Sequence, residues 1–205
     1  MEDLNYRYSD PDFVAGTNAV AQDPYVYSST QVSNWRLAVA NGSLQWKRWK
    51  DAVSSANVFN SASTPKPTDP RQGQLGDCYI MSSLSSVAEQ PDYVKNAILT
   101  QYKNTAGIYA IRFYIRGKPW VVSLDDKLLF QADNSLYFGL LSADGTNIWG
   151  AIFEKAWAKV KGSYDSSASG FVENGLRALT GAPVESFKTA DITNAAQADA
   201  AWTRM

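Results

Sequence analysis

Apolar residues recur at helical spacing in two stretches of the chain. In the first stretch, which begins at Cys78, they are Ile80, Met81, Leu84, Val87 and Ala88. In the second stretch, one row holds Ile148, Ile152, Ala156 and Val160, and the neighbouring row holds Trp149, Phe153 and Trp157. Residues three and four apart share one face of a helix, so both stretches are predicted to be helices packed on a core. We expect Glu154, Lys155 and Lys159 to face away from that core.

Residues 108–124 alternate between apolar and polar instead. Tyr109, Ile111, Phe113 and Ile115 share one face, and Trp120, Val122 and Leu124 alternate again after the turn at residues 116–119. This pattern predicts a β-hairpin. Asp125 and Asp126 follow it, and adjacent strand residues point to opposite faces, so we interpret the two carboxylates as structural. Residues 136–141 are a candidate strand, and residues 44–56 are a candidate short helix.

Three parts of the chain are expected from these patterns. Residues 1–60 are predicted to be an N-terminal extension, partly helical and otherwise loosely structured. Residues 61–190 form the unit that carries the candidate chemistry, and residues 191–205 begin a following element. Because that element starts so near the end of the sequence, we expect the chain to be a fragment of a longer protein. The resulting fold class is α+β, mainly helical around the Cys78 helix, with a small antiparallel hairpin or sheet.

Composition narrows the possible functions. The 205 residues carry a formal net charge of -1, which gives no electrostatic case for binding nucleic acid. The single cysteine excludes an intrachain disulfide. Charged residues interrupt every apolar run in the first 30 residues, and no run reaches the roughly 20 residues of a membrane span. We therefore expect a cytoplasmic protein without a membrane-spanning segment.

The candidate chemistry lies in the segment from Gln72 to Cys78, which reads QGQLGDC. A cysteine at the start of a helix is a candidate nucleophile, because the helix N-terminus favours negative charge. Asp77 is a candidate N-cap. Gln72 could donate its side-chain amide to a developing oxyanion. The alternative is that Cys78 is a small buried apolar residue. The sequence contains no histidine, which is the usual base for such a thiol.

The segment QGQLGDCY resembles the nucleophile motif of the calpain family of cysteine endopeptidases. The run WVVSLDD at residues 120–126 resembles a strand of that family, and WGAIFEKAWAK at residues 149–159 resembles its central helix. Gly162-Ser163-Tyr164, Gly170 and Leu179-Thr180-Gly181 follow in the same order. The resemblance covers residues 65–190, whereas residues 1–60 show none. It implies the first, cysteine-bearing subdomain of a papain-like core.

The resemblance also implies roles for particular residues. Cys78 corresponds to the nucleophile, Gln72 to the oxyanion donor, and Gly170 to a backbone position that pairs with an extended peptide. Ser169 stands where the family usually has a further glycine. The family also binds calcium, and Asp69 and Asn147 stand at two ligand positions. An amide at position 147 replaces the usual carboxylate, which puts calcium binding in doubt. Asp69 before Pro70 is equally well explained as a turn residue.

Two functions follow as expectations. In the first, the chain is the nucleophile-bearing half of a cysteine endopeptidase that cleaves polypeptides, with its dependence on calcium left open. It is inactive alone, because the missing His/Asn subdomain must be supplied in cis or in trans. In the second, the chain is a catalytically inactive calpain-like module that binds or regulates a partner.

Overall fold

The computed structural model describes residues 7–22, 26–59, 64–185 and 189–204. The helices it contains are α1 (Thr17–Val20), α2 (Ser29–Ala40), α3 (Trp49–Ala52), α4 (Cys78–Val87), α5 (Pro91–Ala97), α6 (Trp149–Lys161), α7 (Tyr164–Ser167), α8 (Val172–Thr180) and α9 (Ala195–Arg204), with a 3-10 turn at Thr189–Asp191. The strands are β1 (Gln45–Arg48), β2 (Ile108–Ile115), β3 (Lys118–Asp125) and β4 (Lys127–Phe130). The described helices outnumber the strands, and both sheets are small and antiparallel, which confirms the α+β prediction.

The predicted hairpin is present as β2 and β3, paired in register from Ile108 with Asp125 to Ile115 with Lys118. Arg116 and Gly117 form its two-residue turn, and both have positive φ, 53° and 76°. A turn with two consecutive residues of positive φ has a backbone twist that matches the right-handed twist of the flanking strands. The two strands can therefore be joined by only two residues. The predicted helix over residues 44–56 is wrong in its first half. Residues 45–48 are strand β1, which pairs with β4, and only one helical turn follows.

Residues 136–141 do not form the predicted strand. Leu136 and Leu140 each take part in a single isolated bridge, to Phe130 and Arg71. The apolar run here therefore forms a largely buried loop rather than a strand, since its bridges among the described residues are limited to these two isolated ones. The loop nevertheless matters for the site, since its carbonyl groups approach the segment before Cys78.

Helix α6 lies between two apolar clusters. Trp149, Phe153 and Trp157 belong to the larger cluster, together with the buried faces of α4 and the hairpin. Ala158 belongs to the second cluster, which also contains Trp35 of α2. Both sides of the helix are therefore covered, as expected when a helix is buried rather than amphipathic at a surface. Gly162 ends α6 with a φ of 100°.

The burial of α6 overturns the expectation that Glu154 and Lys155 face solvent. Each is only 1% exposed. The ammonium of Lys155 pairs with the Asp125 carboxylate at 2.5 Å and donates to the Lys127 carbonyl at 2.7 Å. Lys159 is half-buried and pairs with Asp10. Buried charges persist when they are paired and hydrogen-bonded, and these lysines meet both conditions.

The paired aspartates diverge as predicted, toward different partners. Asp125 meets Lys155 of α6, whereas Asp126 forms an ion pair with Arg48 of β1. The two carboxylates therefore fasten the hairpin to a helix on one side and to the second sheet on the other. This arrangement agrees with the structural interpretation of the pair.

The N-terminal segment is more ordered than expected. Phe13, Val20, Val32 and Trp35 are buried in the second apolar cluster, where they contact residues that follow Cys78 in the sequence. Trp35 packs edge-on against Phe138 with ring centroids 5.6 Å apart. The described part of residues 1–60 is partly helical, but it is packed against the unit that carries Cys78. The domain boundary at residue 60 stays a prediction.

Candidate active site

Cys78 is the first residue of α4, and its side chain is exposed. The helix presents Ile80, Met81 and Leu84 to the larger core, which fixes its axis. It also packs closely against α8, because Ser83 meets Gly175. A Cβ at Gly175 would lie 2.3 Å from the Ser83 hydroxyl oxygen. The cysteine is therefore held at the N-terminus of a closely packed helix, while its thiol is open to solvent. This exposure excludes the interpretation of Cys78 as a buried apolar residue.

The loop before Cys78 is shaped by contacts with distant parts of the chain. A Cβ at Gly73 would lie 1.8 Å from the carbonyl oxygen of Phe138, and one at Gly76 would lie 2.1 Å from the hydroxyl oxygen of Tyr27. Neither position can carry a side chain without displacing its neighbour. The spacing of the two glycines thus reflects close approach on both sides of the loop.

Gln72 lies in this loop, six residues before Cys78. Its side-chain nitrogen Nε2 donates to the Leu75 carbonyl oxygen at 2.5 Å, so the amide is turned onto its own loop. The amide carries two N–H groups, so this bond does not by itself prevent donation to a second acceptor. Tyr27 was not predicted, and its hydroxyl also borders this loop. Burial raises the pKa of Tyr27, which keeps the phenol neutral at ordinary pH.

Gly170 lies against the other side of the Cys78 segment. The backbone N–H of Ser169 donates to the Gly76 carbonyl at 2.9 Å, which joins the two loops directly. Ser169 has a φ of 58°, a left-handed conformation that favours glycine. A Cβ at Gly170 would lie 2.7 Å from the Tyr79 ring. The structure therefore brings the loop of Gln72, the Cys78 helix and Gly170 to one place.

Tyr79 connects this wall to α6. Its hydroxyl donates to the Ser167 carbonyl at 3.0 Å and accepts from the indole nitrogen of Trp157 at 2.6 Å. Both bonds are buried. They fix the ring against which Gly170 rests, so the wall is held by three separate elements of the fold.

Behind Cys78 lies a buried pair of carboxyl groups, Asp77 and Glu154. Asp77 occupies the predicted N-cap position, but its side chain makes no capping hydrogen bond. It is fully buried, and Glu154 is 1% exposed. One oxygen of Glu154 accepts the Gly139 N–H at 2.7 Å. The other oxygen, and both oxygens of Asp77, have no donor among the described residues when the two groups are ionised.

A proton on Glu154 supplies the missing hydrogen-bond donor. A protonated Glu154 carboxyl group can donate its O–H to the neighbouring carboxylate of Asp77. Burial, followed by the charge of Asp77, raises the pKa of Glu154 well above its usual value. Burial also raises the pKa of Asp77 to about 6, and the hydrogen bond from Glu154 partly offsets that rise. Of the two, Glu154 therefore keeps its proton to the higher pH. Glu154 was missed as a site residue. The sequence feature that could have identified it is a carboxylate within an otherwise largely apolar helical stretch.

Asp69 and Asn147 lie on either side of the start of α6. One carboxylate oxygen of Asp69 accepts from the Trp149 indole nitrogen and from the Lys66 N–H, both at 2.9 Å. The side-chain amide of Asn147 is buried without a hydrogen-bond partner among the described residues. No hydrogen bond joins Asp69 to Asn147 in this part of the chain. Calcium takes six to eight oxygens, and the described residues contain no group of three His, Cys, Asp or Glu side chains placed to hold a metal. These residues alone fit a calcium site poorly.

No helix among the described residues has both the length and the apolar character needed to cross a membrane.

The chain resembles known proteins over nearly its whole length. The model of the calpain family of cysteine proteases matches residues 8–205. The match begins at residue 8, so the likeness also includes most of the N-terminal segment in which the motifs showed none. Calpain-8 of Mus musculus is 29% identical over 177 residues, which are 85% of this chain and 23% of that protein.

Two further relatives agree with this match. The calpain-2 catalytic subunit of Homo sapiens is 31% identical over 145 residues, which are 69% of this chain and 20% of that protein. A calpain-type cysteine protease of Zea mays is 33% identical over 141 residues, which are 67% of this chain and 6% of that protein. The chain thus spans less than a quarter of the length of each of these relatives.

Proposed function

Because the chain belongs to the calpain family of cysteine proteases, which matches it over residues 8–205, we propose that it supplies the nucleophile-bearing half of a cysteine endopeptidase site. The observation that carries the proposal is the exposed Cys78 thiol at the start of α4, with Gly170 beside the same loop. The substrate is a polypeptide bound in extended form along Gly170.

In the proposed reaction, the Cys78 thiolate attacks the carbonyl carbon of the scissile bond. The carbonyl oxygen becomes an oxyanion, which an N–H of the Gln72 amide stabilises. The thiol must lose a proton before the attack, and the leaving amine must gain one as the C–N bond breaks. Water then hydrolyses the thioester on Cys78, which releases the acid product and the thiol. An imidazole usually performs both transfers, and this sequence has no histidine. A second subdomain must therefore bring the His and Asn, in cis or in trans, and the chain alone has negligible peptidase activity.

The test compares the chain alone with a fusion to the His/Asn-bearing subdomain of a calpain-family relative, using hydrolysis of fluorogenic casein. The chain alone should release no product. The fusion should be active, lose all activity in Cys78→Ala, and lose about 100- to 1000-fold in kcat in Gln72→Ala, the cost of removing one oxyanion donor. Gln74→Ala, which removes an exposed amide of the same loop, is the matched control and should keep full activity.

Two results would oppose the proposal. Steady hydrolysis by the unfused chain, lost in Cys78→Ala, would show that no external base is needed. A folded but inactive fusion would favour the non-catalytic alternative, in which the chain binds or regulates a partner.

A further inference from the structure

A pocket of about 350 Å³ adjoins Gly170. Tyr79 and Trp157 give it an aromatic wall, and Ile115, Val160 and Ala178 extend that apolar surface. The uncharged polar residues Tyr114, Ser169 and Asn174 also line the pocket. The lining includes three charged residues, and all three are cations: Arg116, Lys161 and Arg177. They come from three different elements, namely the turn between β2 and β3, the end of α6, and α8. The fold therefore gathers positive charge at one place beside the candidate cleft.

The three cations form no ion pair with any described residue. The ion pairs of the described chain all involve other basic residues: Arg7, Arg48, Lys155, Lys159 and Arg204. Arg177 donates one N–H to the Val184 carbonyl at 3.2 Å, which leaves its charge uncompensated. Glu173 lies one turn earlier on the same helix, but it does not line the pocket and makes no ion pair with Arg177 within the described ranges.

Overall composition does not explain this cluster, because the chain as a whole has a net charge of -1. Lys161 and Arg177 stand in the last turns of their helices, where a cation stabilises the helix dipole. Arg116 lies in a hairpin turn, so no helix end accounts for it. Its side chain is exposed and lines the pocket.

We infer that this pocket is a specificity subsite that accepts an acidic side chain, Asp or Glu, of the substrate polypeptide. The inference rests on the proposed function, since Gly170 would align the peptide beside the pocket. The aromatic wall of Tyr79 and Trp157 covers the methylene groups of that side chain, and the three cations surround its carboxylate. A pocket of this size fits one side chain rather than a nucleic-acid strand, for which the net charge also gives no support.

The test measures how fast peptidyl vinyl sulfones label Cys78 in the purified 205-residue chain at pH 8.5, where a free thiol is about half ionised. The thiolate adds to the terminal vinyl carbon, and the carbon next to the sulfone takes a proton from water, so no histidine is required. Probes with four residues carry one Glu at each position in turn, and each is compared with the isosteric Gln probe. Iodoacetamide measures the reactivity of the thiol without a peptide.

The Glu probe should react about 3- to 10-fold faster than the Gln probe at one position, the range of a partly shielded ion pair. High salt should reduce this preference. Arg116→Gln and Arg177→Gln should each weaken it, and together abolish it, with no change in the iodoacetamide rate. Lys118→Gln, which removes an exposed cation two residues from Arg116, is the matched control and should leave the preference intact.

Equal rates for Glu and Gln probes at every position would overturn the subsite while leaving the peptide cleft supported, provided that the peptidyl probes outpace methyl vinyl sulfone. A Glu preference that survives in the double variant would overturn the assignment to this pocket. If no peptidyl probe outpaces methyl vinyl sulfone, the cleft itself is refuted, and the proposed function fails with it.

Discussion

The buried pair of Asp77 and Glu154 makes the folded protein less stable as the pH rises, and the size of this effect follows from the structure. Both carboxyl groups have a raised pKa in the folded chain because they are buried against each other. Unfolding exposes them to water and restores their ordinary values. Above about pH 4 the folded state therefore holds protons that the unfolded state has released, and the free energy of unfolding falls with increasing pH.

For Asp77, a pKa raised from 3.8 to about 6 corresponds to about 3 kcal/mol, at about 1.4 kcal/mol per pH unit. Glu154 adds to this loss in the same direction, because its pKa is raised as well. The neighbouring phenols do not titrate in this range: burial raises the pKa of Tyr27 and of Tyr164. Between pH 4 and pH 7 the pair should therefore lower the stability of the chain by at least about 3 kcal/mol.

The perturbation is the double substitution Asp77→Asn with Glu154→Gln, which keeps the shapes and removes both titrations. Urea unfolding followed by tryptophan fluorescence gives the free energy of unfolding at each pH. Between pH 4 and pH 7, the free energy of unfolding of the variant should rise relative to that of the wild type by at least about 3 kcal/mol. For a chain of this length, this corresponds to roughly 6–12 °C in Tm. Glu89→Gln removes an exposed carboxyl just after α4 and is the control. Its free energy of unfolding should follow that of the wild type at every pH. If the free energy of unfolding of the double variant also follows that of the wild type at every pH, the raised pKa values of Asp77 and Glu154 are refuted.

Two other outcomes are expected from the geometry of the site. Gly170→Ala should lower the free energy of unfolding by about 1–3 kcal/mol, because the new Cβ would lie 2.7 Å from the Tyr79 ring. The control is Gly16→Ala, which should have little effect because its new Cβ would meet nothing closer than 3.8 Å. Equal stability of the two variants in urea would contradict the close packing at Gly170. Because Asp69 and Asn147 fit a calcium site poorly, we expect Tm in millimolar calcium to equal Tm in chelator. Magnesium is the control ion, and a rise in Tm that is specific to calcium and lost in Asp69→Asn would contradict this expectation.

The sequence predicted the parts of the fold that depend on local pattern. Helices α4 and α6 follow from apolar spacing, and the hairpin follows from alternation on either side of Arg116 and Gly117. The strand at residues 45–48 was missed because Trp46 and Trp49 also fit a helical spacing. Its extended form comes from pairing with β4 (Lys127–Phe130), a strand far later in the chain. A contact so distant in sequence leaves no local signal.

The same limit explains the errors on α6. Glu154 and Lys155 look like the polar face of a surface helix when only the helix is considered. The second apolar cluster, assembled largely from the N-terminal segment, covers that face. Once the face is covered, each charged group needs a partner at short range, and the partners are Asp125 for Lys155 and Asp77 for Glu154. The polarity of the helix alone therefore predicted the wrong environment for Glu154 and Lys155.

The glycines before Cys78 acquire a physical reason that spacing alone did not provide. Gly73 leaves room for the Phe138 carbonyl, and Gly76 leaves room for the Tyr27 hydroxyl while its own carbonyl accepts the Ser169 N–H. Segments on both sides of the motif in the sequence therefore press on one short loop and fix the start of α4. The position of the Cys78 thiol is thus determined by contacts within this chain, whereas the proton transfers of the proposed reaction call for a histidine, which the sequence lacks.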